Sequence, residues 1–135
     1  MKITASCLLT LLALSMGQAC AGELVMIVNS AAPAAGINKE QVADLYLGRT
    51  SGWTPIDQVA NSPIYVEFYQ KATGRDIAQV KAIWSKIIFT GRGQPPKQMM
   101  NSAAVKKAVA ADPKAIGYID KSAVDASIKV ALTLD

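Results

Sequence analysis

The residues best suited to chemistry in this chain are hydrogen-bond donors at turns. Asn29 and Ser30 follow an apolar run and stand where α/β sheets offer strand carboxyl ends to a ligand. Ser62 precedes Pro63, the pairing that opens a helix with a hydroxyl cap and proline at its first position. Such a helix start presents unpaired N–H groups and the positive end of the peptide dipole, which suit an anion. Tyr65 lies in the same first turn and adds one neutral hydroxyl. Arg92, between Gly91 and Gly93 and ahead of Pro95 and Pro96, adds a permanent cation on a loop stiffened at its exit. No GK[ST] follows these glycines, so the loop is not a P-loop. Asn29, Ser30, Ser62, Tyr65 and Arg92 are thus the candidate binding residues. Each also has a plainer reading as a turn residue, an ordinary cap or a solvated side chain.

What is missing narrows the chemistry further. The chain has no histidine, and its only cysteines are Cys7 and Cys20. Both fall in an export leader. Lys2 gives a positive start, residues 8–16 are apolar but too short to span a bilayer, and Ala19-Cys20-Ala21 supplies a small-x-small cleavage signal. Residues 1–21 therefore read as a signal peptide and residues 22–135 as one secreted, periplasmic domain. Lipid anchoring through Cys20 is the minor alternative, since Gly17 makes a poor lipobox. Without His or Cys, the exported part has no disulfide scaffold, no thiol or Ser-His nucleophile and no zinc or copper site of the usual kind. Asp44, Asp57, Glu67 and Asp76 show no metal-loop or paired-carboxylate spacing, so no enzyme activity, metal or cofactor is expected. The net charge of +4 is too small to suggest nucleic acid. Trp53, Trp84, Tyr46, Phe68, Tyr69 and Phe89, although interleaved with Lys71, Lys81 and Lys86, accordingly read as core or core-edge aromatics.

The positioning elements follow from periodicity and caps. Residues 24–28 form an apolar run typical of a strand covered on both faces. Asn38 with Gln41 predicts a capping box, with Val42, Leu45 and Tyr46 facing the core and Gly48 ending the helix. Residues 56–59 read as a short strand. Ser62 opens the next helix, whose inner face is Ile64, Phe68 and Ala72 and which Gly74 ends. A further helix runs from about Asp76 to Phe89 with Ile77, Val80, Ile83, Trp84, Ile87 and Ile88 on one apolar face. Residues 90–99 read as loop, and Ser102 as the cap of a helix ending before Pro113. Residues 115–119 and 128–134 read as closing strands, with a helical turn at 122–125. Strands separated by helices make this an α/β layer fold.

Four segments carry a resemblance: residues 84–96 (WSKIIFTGRGQPP), 112–119 (DPKAIGYI), 38–49 (NKEQVADLYLGR) and 61–74 (NSPIYVEFYQKATG). Together they resemble the phosphate ABC transporter branch of periplasmic substrate-binding proteins, over nearly all of residues 24–134. The resemblance implies a type 2 periplasmic-binding-protein-like fold, a central mixed sheet flanked by helices. It also implies binding of a small oxyanion, phosphate first, with the Ser62 turn supplying a hydroxyl and backbone donors. An ABC permease or membrane sensor is the implied partner. Many relatives carry arginine in the first turn where this chain has Tyr65, exchanging a bidentate clamp for one hydroxyl, worth about 1–3 kcal/mol. Arg92 either replaces that arginine or contacts a partner. Full-length relatives close two lobes over the ligand, and this chain is long enough for about one. A homodimer is one way to supply the missing wall. The alternative function is a ligand-free interaction lobe of the cell envelope.

Overall fold

A computed structural model describes residues 23–33 and 37–134. The expected leader features, including Cys20, lie outside the described residues. In chain order the elements are β1 (Leu24–Asn29), α1 (Lys39–Tyr46), β2 (Thr54–Gln58), α2 (Pro63–Thr73), α3 (Ile77–Phe89), β3 (Lys97–Met99), α4 (Ser102–Ala111), β4 (Ala115–Asp120) and β5 (Ile128–Leu134). Among the described residues no helix is long and apolar enough to cross a membrane.

The strands form one mixed sheet in the order β3-β2-β4-β1-β5. β1 runs antiparallel to both neighbours, Leu24 facing Asp120 on one side and Leu134 on the other. β2 runs parallel to β3 and β4. All six residues of β1 are buried, as its continuous apolar run demands. Leu24, Met26 and Val28 face a core shared with α1, α2 and α3, while Val25 and Ile27 face α4. The result is three layers, with three helices on one face and α4 on the other. Every described strand and helix, and both faces of the core they enclose, lie within residues 23–134.

Local signals explain most boundaries. Asn38 Oδ1 accepts from Gln41 N and Gln41 Oε1 from Asn38 N, both at 2.9 Å, completing the capping box. Gly48 ends α1 with φ +73°, and a Cβ there would lie 2.9 Å from Ile87 Cδ1, so both conformation and close packing demand glycine. Ser62 Oγ accepts from Tyr65 N at 3.3 Å, with Pro63 in the first turn, and Gly74 closes α2 at φ +67°.

Several expectations need correction. The cap of α4 is Asn101, whose Oδ1 accepts from Ala104 N at 2.9 Å; Ser102 Oγ instead accepts from Gln58 Nε2 at 3.1 Å. β2 starts at Thr54 and stops at Gln58. The helical turn sits at Lys121–Ala123, where Asp120 Oδ1 accepts from Ser122 N. Residues 97–99, read as loop, pair with β2 as a short edge strand. Ile88, expected on the apolar face of α3, and Phe89, expected as a core or core-edge aromatic, are 52% and 92% exposed. Of the thirteen residues of α3 only Val80 and Trp84 are buried.

Candidate functional site

The sheet's strand directions divide the five expected binding residues. Because β1 is antiparallel, Asn29 lies at the end of the sheet where β2 and β4 begin. Ser62 and Tyr65 follow the carboxyl end of β2, at the opposite end. The Asn29 side chain is also occupied. Its amide donates to Val109 O (3.1 Å) and Ala110 O (3.0 Å), and its Oδ1 accepts from Ala31 N (2.9 Å). Asn29 therefore caps the carboxyl end of α4, supplying a donor to Ala110 O and a second one to Val109 O, which also accepts from Asp112 N. Ser30 is exposed beside it. Arg92 is exposed past the end of α3, on a shallow cavity of about 390 Å³ with Gly48, Trp53, Pro55 and Trp84. Only Ser62 and Tyr65 share one neighbourhood.

The start of α2 offers fewer donors than expected. Pro63 has no N–H, Tyr65 N is taken by Ser62 Oγ, Val66 N by Ser62 O, and Ser62 N by Val59 O. Among the described residues this leaves the Ile64 amide as the one unpartnered N–H of the first turn. Asn61 enters the helix at φ 69°, a left-handed conformation asparagine tolerates.

Beside this helix start is a cavity of about 310 Å³ between α2, α3 and β3. Tyr65, Lys81, Ser85 and Gln98 line it with hydroxyl, ammonium and amide donors, and Trp84, Ile88, Pro95 and Pro96 form apolar walls. Gln98 accepts from Ala60 N through its Oε1 at 3.5 Å, which leaves its amide hydrogens available. Asp57 also lines this cavity, yet is only 2% exposed. Tyr69 donates to its Oδ2 at 2.5 Å, and Tyr118 OH and Gln58 N donate to Oδ1. Gln58 N also reaches Tyr118 OH at 3.1 Å, and Gln58 Nε2 donates to Tyr118 O at 3.0 Å.

Burial raises the Asp57 carboxyl from 3.8 to about 6, against the lowering effect of the Tyr118, Tyr69 and Gln58 donors. Burial, then the charge of Asp57, raises the hydroxyls of Tyr69 and Tyr118, so both stay protonated donors. The Tyr65 hydroxyl is raised by the same two causes in the same order. Tyr46 completes the cluster. Its hydroxyl donates to Ile56 O at 2.7 Å, its carbonyl accepts from Trp84 Nε1 at 2.9 Å, and its ring meets Phe68 edge-on at 4.6 Å. Phe68 and Tyr118 stack at 3.8 Å. Asp57, Tyr69 and Tyr118 were not among the expected site residues. The one sequence signal for them is an acid inside a strand, at the position after Ile56 that faces the helices.

No family model matches the chain, and no curated protein does. Solved structures do. An ABC-type phosphate transport receptor from Vibrio cholerae superposes with TM-score 0.63 at 20% identity, over 80% of this chain and 44% of its own. A protein from Clostridium perfringens with bound phosphate, described as a phosphate ABC transporter substrate-binding protein, superposes with TM-score 0.65 at 18% identity, over 80% and 43%. The chain therefore spans less than half the length of these structures. The likeness establishes the fold: an α/β lobe like part of a periplasmic binding protein.

Proposed function

We propose that the chain is a periplasmic binding lobe for a small oxyanion, phosphate first, held in the cavity between α2, α3 and β3. The observation that carries this reading is the convergence of Tyr65, Lys81, Ser85 and Gln98 on one cavity beside the start of α2. The two solved structures support it, one being a phosphate transport receptor and the other holding phosphate. Tyr65 contributes a hydroxyl, Ser62 fixes the helix start that carries it, and Lys81 supplies the charge. Asn29, Ser30 and Arg92 have no part in this pocket. An ABC permease or envelope sensor is the partner the reading implies, and a second protein lobe is the wall an open pocket lacks.

Asp57 sets a condition on binding. An ionised carboxylate at the base of the pocket repels an anion, whereas a neutral one does not. The oxyanion is therefore taken up together with a proton, and affinity rises as pH falls through about 6. A lone lobe leaves its ligand hydrated, so the dissociation constant belongs near ~1 mM, about 4 kcal/mol of binding. Calorimetric titration with phosphate and sulfate tests this. Lys81→Ala should weaken binding by about tenfold, as loss of one charge-assisted hydrogen bond does. A flat titration at tens of millimolar anion would reject the reading and leave the ligand-free docking lobe, which a stoichiometric partner from envelope extracts would then support.

A further inference from the structure

From Ile77 to Ala111 the sequence contains no aspartate or glutamate, but six lysines and arginines. Lys97 lies on the edge strand β3, and the structure sorts the other five between the two faces of the sheet. Lys106 and Lys107 belong to α4, and Lys106 pairs with Asp125 at 2.7 Å. Lys81, Lys86 and Arg92 belong to α3 and the turn that ends it, and among the described residues none has an ion pair. α3 buries Val80 and Trp84 and rests Ile77, Ile83 and Ile87 on the core. Lys81 and Ser85 line the cavity against α2, and Phe89 continues their four-residue row out to the helix tip, with Lys86 alongside. Phe89 is 92% exposed at the tip of the helix, Ile88 beside it is 52% exposed, and Arg92 is exposed three residues on.

A phenyl ring with so little cover gains nothing from its own fold, and the cations around it lack counter-charges. We infer that the outer face of α3, centred on Phe89, docks on an anionic phospholipid bilayer. The charge is complementary to such a surface. The exposed ring stands at a helix tip, which suits a deformable surface. Phe89 and Ile88 enter the boundary of headgroups and acyl chains, while Lys86 and Arg92 extend their apolar stems and place their charges among the phosphates. The contact is weak and peripheral, each cation near an anionic surface adding about fivefold to the partition. The surface adjoins the oxyanion cavity, sharing Ile88 with its wall, but Phe89, Lys86 and Arg92 do not line that cavity, so variants at these three positions test the membrane contact separately.

The test is co-sedimentation of the chain from Gly22 onward, which contains every described strand and helix, with vesicles of phosphatidylglycerol and phosphatidylcholine. Binding above that to phosphatidylcholine alone is expected at about 0.1 M salt, with loss of that excess near 1 M. The double variant Lys86→Ala/Arg92→Ala should bind about twenty-five-fold more weakly, and Phe89→Ser about tenfold. Lys86→Arg/Arg92→Lys should bind like the parent. Equal binding by the parent to both vesicle types overturns the inference. So does an unchanged Phe89→Ser variant, which would show that the ring stays in water.

Discussion

Replacing Asp57 by asparagine should remove most of the pH dependence of stability between about pH 4 and pH 6. Asp57 is 2% exposed, and burial raises its carboxyl from 3.8 to about 6 in the folded protein. The folded state thus holds the proton more tightly than the unfolded chain does. Below 3.8 both states are protonated and the contribution is complete. As pH rises towards 6 the unfolded chain loses its proton first, and folding must then keep a proton or bury a charge. Stability therefore falls with rising pH across this window and levels off above it. The shift is roughly two units at about 1.4 kcal/mol each, or about 3 kcal/mol in total. Asparagine fits the same space and cannot ionise. Its oxygen still accepts from Gln58 N and Tyr118, and its amide meets Tyr69 at the expense of one reorganised hydrogen bond, about 1 kcal/mol. Urea unfolding of parent and Asp57→Asn at several pH values measures the difference directly. Carboxylates common to both, such as Asp125, which Lys106 and Ser127 hold below its usual range, cancel in the subtraction. Parallel pH profiles for the two proteins would show that Asp57 ionises as freely folded as unfolded, contrary to its place among Tyr69, Tyr118 and Gln58.

Other substitutions separate structural from binding roles. Asn29→Ala removes the donor of Ala110 O and one of the two donors of Val109 O and should cost about 1–2 kcal/mol in chemical denaturation, with phosphate affinity unchanged. A fall in affinity with intact stability would restore Asn29 to the binding site. Gly48→Ala combines a left-handed backbone with a 2.9 Å approach to Ile87 and should lower stability by about 2–4 kcal/mol. Gly74→Ala shares the left-handed φ but meets open space, so its loss should be nearer 1 kcal/mol; equal losses would remove the packing part of the explanation. Gly117→Ala places a Cβ 2.5 Å from Val105 Cγ1 and should cost about 1–3 kcal/mol by pushing α4 off β4, visible as a lower Tm.

The features legible in the sequence are those that near neighbours determine. The Asn38–Gln41 box, the Ser62-Pro63 start and the Gly74 stop each depend on residues a few positions apart, and a central strand apolar on both faces shows as the run LVMIVN. Strand direction is different. Whether β1 runs with or against β4 depends on contacts between residues about ninety positions apart, and no local pattern reports it. Asn29 does stand at the carboxyl end of β1, but because β1 is antiparallel to β4 that end lies opposite the one that carries Ser62. β3 has only three residues and alternates little, so it carries no strand signal until β2 pairs with it. The Asp57 cluster joins β2, α2 and β4, with Tyr118 61 residues away from its acid, and nothing in the spacing shows that the three meet. Phe89 reads as a core aromatic by residue type, but it falls on the row of Lys81 and Ser85 at the end of α3 and is left exposed.

Amide NMR during phosphate titration near pH 6 reports residue by residue whether an oxyanion sits beside α2 and against α3. Signals of Ile64, Tyr65, Lys81, Ser85 and Gln98 should move together and saturate with a single midpoint. Shifts confined to Asn29, Ser30 and Arg92, or no saturable shift at any site, would contradict it.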